Sequence, residues 1–379
     1  MAPGQRARLY RRRRRALHAH PLYQEEMLSP GSDRDLEMRS ISCEPTMEEE
    51  EEEGDDEEEE EEEEEDDEDD EDEELAPESS MEKQKTDFDL HLEDWESSFS
   101  QRRSTCDMLT SLSPMVFTHC TPSCIPPEAI LCRALQMCSI KVAKIKHLEW
   151  PLHIYGIVAA RDYVDHKRNV LFYRPRSWTQ TLTKKNPYLH LTGPSRAIMS
   201  DEPVHIEFQL KVKRGESRSE DRALVTRVFR YNNSSNRDWF YHCLSNYLCK
   251  IELCFEQLAR SRQATVLAVC VTRGSPFRYG GQVVCSASSY ENEDTYKEIV
   301  LFDSKHGSME SDGSMESDGT MSVDPDGYLN LSRRVVSVQG KLKIFINTYS
   351  RSGAILASGR VSFRAKDCQT SWAKCPSQP

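Results

Sequence analysis

The clearest pattern in the chain spans residues 203–213. Val204, Ile206, Phe208, Leu210 and Val212 alternate there with His205, Glu207, Gln209, Lys211 and Lys213. Strict period two places each set on its own face, so the segment predicts a half-buried β-strand. Residues 247–255 repeat the pattern, with Tyr247, Cys249, Ile251, Leu253 and Phe255 set against Lys250 and Glu252. Leu342, Ile344 and Ile346 alternate with Lys341, Lys343 and Asn347 in the same way. Residues 264–272 are apolar on both faces, which predicts a central strand covered on both sides. Further strands are predicted at 139–147, 152–160, 170–174, 224–231, 282–287, 298–303, 334–338 and 354–364. Turn residues such as Gly193-Pro194, Gly280-Gly281 and Asp326-Gly327 separate them. About a dozen short strands without a long helical pattern between them imply a mainly β fold, an antiparallel two-layer β-sandwich. A closed barrel requires clean alternation in every strand, which 264–272 lacks.

Upstream of Ser139 the alternation fails. Phe88, Leu90, Leu92 and Trp95 lie among acids and allow one short amphipathic helix. From Met108 onward Pro114, Pro122, Pro126 and Pro127 predict an extended lead-in. The resulting plan is a basic arm at 1–22, a disordered segment at 23–105, a lead-in at 106–138, the sandwich at 139–366 and a tail at 367–379.

Charge changes the picture of the N-terminal third. Every residue from Glu48 to Glu74 except Gly54 is acidic, giving 26 carboxylates in one run. The 379-residue chain has a formal net charge of −16; taking away those 26 negative charges leaves the remainder at +10. A run without apolar side chains has nothing to bury against the entropy of ordering, so it is expected to be a disordered polyanion. Binding of basic proteins, such as histones or ribosomal proteins, is the contact it suits. Salt weakens contacts of that kind as the Debye length shrinks to about 3 Å at 1 M. Seven arginines (Arg6, Arg8 and Arg11 to Arg15) fall in the first 22 residues. They fit a nuclear import signal, an Arg-rich organellar transit peptide, or an arm that folds back on the polyanion. Setting these seven aside leaves +3 for the rest, a poor basis for binding polyanions by charge alone.

No apolar run reaches the roughly 18 residues of a transmembrane helix, and no apolar block follows the arginines as in a secretory signal. A nuclear or cytoplasmic protein without membrane contact is expected, with organellar transit left open. The thirteen cysteines are then expected to be reduced and buried, with Cys249, Cys254, Cys270 and Cys285 inside strand-like runs.

Candidate chemistry is sparse. Arg161, Asp162, Asp165, Arg168 and Asn169 cluster directly after a predicted strand. Two carboxylates at a strand end suit cation binding or acid–base work, and Asp162 and Asp165 are the catalytic candidates with Arg161 and Arg168 beside them. The competing reading is a polar loop whose Asp and Arg side chains pair and cap backbone groups. His119, Cys120 and Cys124 lack the second ligand pair of a structural zinc site. The exact repeat SMESDG at 308–313 and 314–319 reads as a duplicated loop tip, not a calcium loop. No phosphate-binding glycine loop and no GxSxG or HExxH motif is present. No metal and no cofactor is therefore expected.

Five strings taken together carry a family resemblance: TSLSPMVFTHCTP at 110–122, the segment 135–174, LTGPSRAIMSDEPVHIEFQLKVK at 191–213, SEDRALVTRVF at 219–229 and LSRRVVSV at 331–338. Residues 106–366 resemble the grass-plant family called domain of unknown function 6598. Similar modules are fused behind ribosome-inactivating N-glycosidase domains in jasmonate-induced cereal proteins. The resemblance implies a stress or defence setting and brings no catalytic residues with it. The EAxR motif of those N-glycosidases is absent: the nearest string is Glu128-Ala129-Ile130-Leu131. The expected function is a non-enzymatic module binding a protein or glycan; the alternative is a hydrolase of nucleic acid or glycan.

Overall fold

The computed structural model describes residues 77–99, 108–110, 131–232, 239–271, 276–287, 298–306 and 327–364, with 371 and 373. The basic arm, the acidic tract, the His119–Cys124 cluster and the SMESDG repeat lie outside the described residues. In chain order the described elements are one helix, α1 (Pro77–Phe99), then β1 (Cys132–Ile145), β2 (Leu152–Arg161), β3 (Asn169–Arg174), β4 (Gln180–Leu182) and β5 (Ile198–Met199). There follow β6 (Val204–Val212), β7 (Arg222–Tyr231), β8 (Trp239–Ser245), β9 (Cys249–Thr265) and β10 (Gly281–Ser286). The last are β11 (Ile299–Asp303), β12 (Val335–Val338), β13 (Lys341–Tyr349) and β14 (Ile355–Arg364).

The strands form three antiparallel sheets. The first has the order β12-β9-β1-β5, with β8 also on β9. The second has the order β3-β2-β6-β7, with β4 on β2, and the third has the order β11-β10-β13-β14. The first two sheets make the expected sandwich. Leu135, Met137, Ile140 and Val142 of β1 and Ile251, Leu253 and Phe255 of β9 meet Ile154 and Val158 of β2 and Val204, Ile206, Phe208 and Leu210 of β6. The predicted apolar face of β6 is thus the buried one, residue for residue.

The third sheet adds a layer on the opposite face of the first. Cys138 and Cys254 leave the first core and pack with Val283, Cys285, Ile299, Leu301 and Ile344. The strand covered on both faces is therefore the middle of β9, around Leu253–Glu256, and not 264–272. Residues 266–269 carry no strand, and Leu267 and Cys270 are exposed. Cys132, Cys138, Cys249, Cys254 and Cys285 are buried thiols as expected.

β1 starts seven residues before the predicted Ser139, inside the expected lead-in. Its pairing with β9 shifts register near Cys132/Ala134, Met137/Ser139 and Val142/Lys144. A bulge inserts a residue and switches the face of all that follow. Odd-numbered Leu135 and Met137 and even-numbered Ile140 and Val142 thus reach the same core, and the alternation that would reveal one continuous strand is hidden. α1 is a second departure. It occupies 23 residues of the stretch expected to be disordered. Its inward stripe includes Met81, Gln84, Phe88, His91, Trp95 and Phe99, spaced three or four apart, and Phe88 is fully buried. Two of those six are polar, which is why the stripe is faint by hydropathy.

Close strand contact places one absolute demand on sequence. Gly156 of β2 has φ +125°, and a Cβ there would stand 2.0 Å from the Gln209 carbonyl oxygen on β6. Gly156→Ala is expected to cost more than about 1 kcal/mol, since both the conformation and the space exclude a side chain. Urea denaturation monitored by circular dichroism measures it; an unchanged midpoint contradicts this packing.

Candidate functional site: a buried charge network at the β2–β3 turn

The residues flagged after β2 come together at one end of the second sheet. The turn from Asp162 to Arg168 is shaped by its own aspartates. Asp162 Oδ1 accepts from the Val164 amide (3.1 Å) and Asp165 Oδ1 from the Lys167 amide (3.0 Å). These are Asx turns, in which a short carboxylate replaces a backbone acceptor. His166 completes the turn at φ 59°.

Both carboxylates converge on Arg196, which the sequence pattern did not single out. Its Nη1 donates to Asp162 Oδ2 (2.6 Å) and its Nη2 to Asp162 Oδ1 (2.7 Å) and Asp165 Oδ1 (3.0 Å). Its Nε donates to the Thr110 hydroxyl (2.9 Å), and Nη1 also reaches the Ala197 carbonyl (3.1 Å). All five donors of the guanidinium are thereby used. The Met199 amide donates to Asp162 Oδ2 (2.9 Å), so each Asp162 oxygen accepts two hydrogen bonds. Thr110 Oγ1 in turn donates to Asp165 Oδ2 (2.6 Å). Burial disfavours charge on Asp165, but Arg196, the Thr110 hydroxyl and the Lys167 amide outweigh it and hold its pKa below the ordinary value. Burial likewise opposes the Arg196 charge, and Asp162 with Asp165 raises its pKa nonetheless. Asn169 locks the loop that presents Arg196, donating to the Arg196 carbonyl (2.8 Å) and accepting from the Ser195 amide (2.9 Å).

Arg161 and Arg168 serve a different carboxylate. Glu207 of β6 accepts from Arg161 Nε and, on its other oxygen, from Arg168 Nε (2.7 Å) and Arg161 Nη2 (3.3 Å). In the register of β2 with β6, Ala159 faces Glu207 and Arg161 faces His205, so Arg161 and Glu207 are diagonal neighbours on the outer face. That face belongs to the polar side of the alternating strand, yet Glu207 is 1% exposed. α1 covers it. Trp95 Nε1 donates to the His166 carbonyl (3.1 Å), and the Arg161 guanidinium lies 5.6 Å from the Trp95 ring centre. His91 stacks on His205 at 5.1 Å and Phe99 on His166 at 3.9 Å.

Asp162, Asp165, Arg161 and Arg168 are therefore neighbours; Arg161, Asp162 and Arg168 are buried and Asp165 is 26% exposed. An open depression of about 530 Å³ lies at the other end of β2, lined by His147, Leu148, Glu149, Pro151, Leu152, His153, Val212, Lys213 and Arg214. Among the described residues no three His, Cys, Asp or Glu side chains stand together as a metal site would require. Arg196 and Thr110 carry no local signal in the sequence; Glu207 carried one, as the acid in the middle of the best strand.

One exposed surface is chemically distinct. Tyr188, Lys141, Glu252 and Cys243 form a row across the first sheet, on the face away from the sandwich core. Lys141 Nζ pairs with Glu252 Oε2 at 2.9 Å. Tyr188 at one end and Tyr241, two residues along from Cys243, are 43% and 55% exposed.

A three-sheet antiparallel domain with a buried ion-pair network at one turn is the class of protein defined here. The chain belongs to the family described as domain of unknown function 6598, whose match covers residues 134–378. No curated protein matches it. Among the described residues no helix is long and apolar enough to cross a membrane.

Proposed function

We propose that this protein is a non-enzymatic interaction module. The observation that carries this is the charge network: Asp162 accepts four hydrogen bonds from Arg196 and two backbone amides, and Asp165 is held by Arg196, the Thr110 hydroxyl and the Lys167 amide. Asp165, held below its ordinary pKa by Arg196 and Thr110 in spite of its burial, is a weak base and holds no proton to donate near neutral pH. The contact surface is the row flanked by Tyr188 and Tyr241. Tyrosines beside a charged pair offer large rigid area with polar tips, the chemistry that protein interfaces and sugar rings both use. The acidic tract at 48–74 supplies a separate, salt-sensitive contact with basic proteins. A stress or defence setting goes with this reading through the family resemblance.

The full chain should be retained on immobilised oligosaccharides or on partner protein at native salt. The Tyr188→Ala/Tyr241→Ala variant should lose about tenfold or more in affinity with an unchanged unfolding midpoint. The same preparation should release no product from RNA or oligosaccharide. Turnover that disappears in a folded Asp165→Asn protein would establish the hydrolase instead.

A further inference from the structure

α1 ends where the family match has not yet begun, since the helix closes at Phe99 and the match starts at residue 134. Yet it covers the most polar part of that domain's second sheet. Its fit is incomplete. Phe88 is fully buried and Trp95 makes one hydrogen bond, but three buried polar atoms at this interface lack a hydrogen-bond partner: Gln84 Oε1, His91 Nε2 and His205 Nδ1. His91 Nε2 stands 4.0 Å from Glu207 Oε1. Each orphaned atom costs about 1–3 kcal/mol of desolvation, comparable to what burying one large apolar side chain returns. A helix held by buried Phe88, by Met81 packed on the first core and by half-buried aromatics, set against three such costs, is less firmly seated than its length implies. The surface below it is well formed without it, because Arg161, Arg168 and Glu207 satisfy one another within the sheet and its turn.

We propose that the outer face of the second sheet is a helix-docking surface and that α1 is its resident, displaceable ligand. The face reads an amphipathic helix through three features. It accepts an apolar residue at the Phe88 position and an aromatic at the Trp95 position, which meets Arg161 and the His166 carbonyl. It also accepts a flat polar ring at the His91 position over His205.

The same histidines make the seat sensitive to acid. Burial, then His91 itself, Arg230 of β7 and Arg161 of β2 push the His205 pKa down to about 4. Burial and Arg161 also lower His91, against Glu207 of β6 and Asp94 of its own helix, which raise it. Both rings are therefore neutral when docked and take up protons near pH 6.5 when released. Docking strength is complete above about pH 6.5 and falls as the pH drops toward 4.

The test uses the full chain with Phe88→Ala and Trp95→Ala together, and a fluorescein-labelled peptide of residues 77–99 followed by anisotropy. The variant, its own helix released, should bind the peptide at pH 7.5, and binding should weaken about tenfold or more at pH 5. Wild type should bind it at least about tenfold more weakly, because α1 competes. Hydrogen exchange on wild type gives a readout independent of the variant's folding: α1 amides should open at least about a hundredfold more often than β6 amides. Equal protection of α1 and β6, or a folded variant that ignores the peptide, overturns the proposal.

Discussion

Glu207→Ala is expected to cost about 3–5 kcal/mol of folding stability, the range for removing one partner of a buried ion pair. Two guanidiniums are left behind, Arg161 with a fully buried side chain and Arg168 with 8% exposure. Both then keep their desolvation cost without the carboxylate that offsets it. Against a typical total of about 5–15 kcal/mol the loss is large, and the urea midpoint should fall accordingly. A variant with Glu207→Leu, Arg161→Met and Arg168→Leu should recover most of it, because a filled apolar triad has no charge to desolvate. A single Glu207→Ala loss below about 1 kcal/mol would mean that the network is wetter than its burial indicates.

Asp162→Ala should cost about the same, again about 3–5 kcal/mol, for a related reason. Asp162 holds Arg196 through two hydrogen bonds and stops two backbone amides, Val164 and Met199. Alanine leaves a buried cation half-paired and both amides without acceptors. Asp165→Ala removes fewer contacts from a side chain that is 26% exposed, and should cost about 1–2 kcal/mol. The ordering separates a structural network from a catalytic pair. A scaffold loses stability in the order Asp162 over Asp165, whereas a pair kept for chemistry gains stability on neutralisation. Thermal unfolding of the two variants at pH 7 decides it.

These side chains also mark where local pattern reading stops. Arg161, Asp162, Asp165 and Arg168 are adjacent in the chain, and they do lie together, in two neighbouring ion-pair clusters. Their pairing was not legible. The carboxylates choose Arg196, up to 34 residues away, and the arginines choose Glu207, up to 46 residues away. Adjacency brings the charges to one turn, but the tertiary fold decides the pairing: the carboxylates that close the Asx turns are bound by Arg196. α1 was reduced to a short helix for a related reason. Its stripe includes Gln84 and His91, the latter stacked on His205, and no hydropathy pattern records a polar residue that tertiary packing covers.

What the sequence alone determined is most of the longer strands and, for β6, the side that is buried; β4, β5 and β8 escaped it, and 264–272 is not the central strand its pattern predicts. Burial with period two is a property of consecutive residues, and β6 has its apolar face where Val204 to Val212 put it. Single-residue bulges erased that signal in β1, and only the pairing with β9 restored it. The tertiary structure alone decided the third sheet, the cover that α1 gives Glu207, and the use of the flagged charges as ion pairs. Each depends on which distant surface lies opposite. That is set by chain closure and desolvation across the whole domain, where a local pattern has no reach.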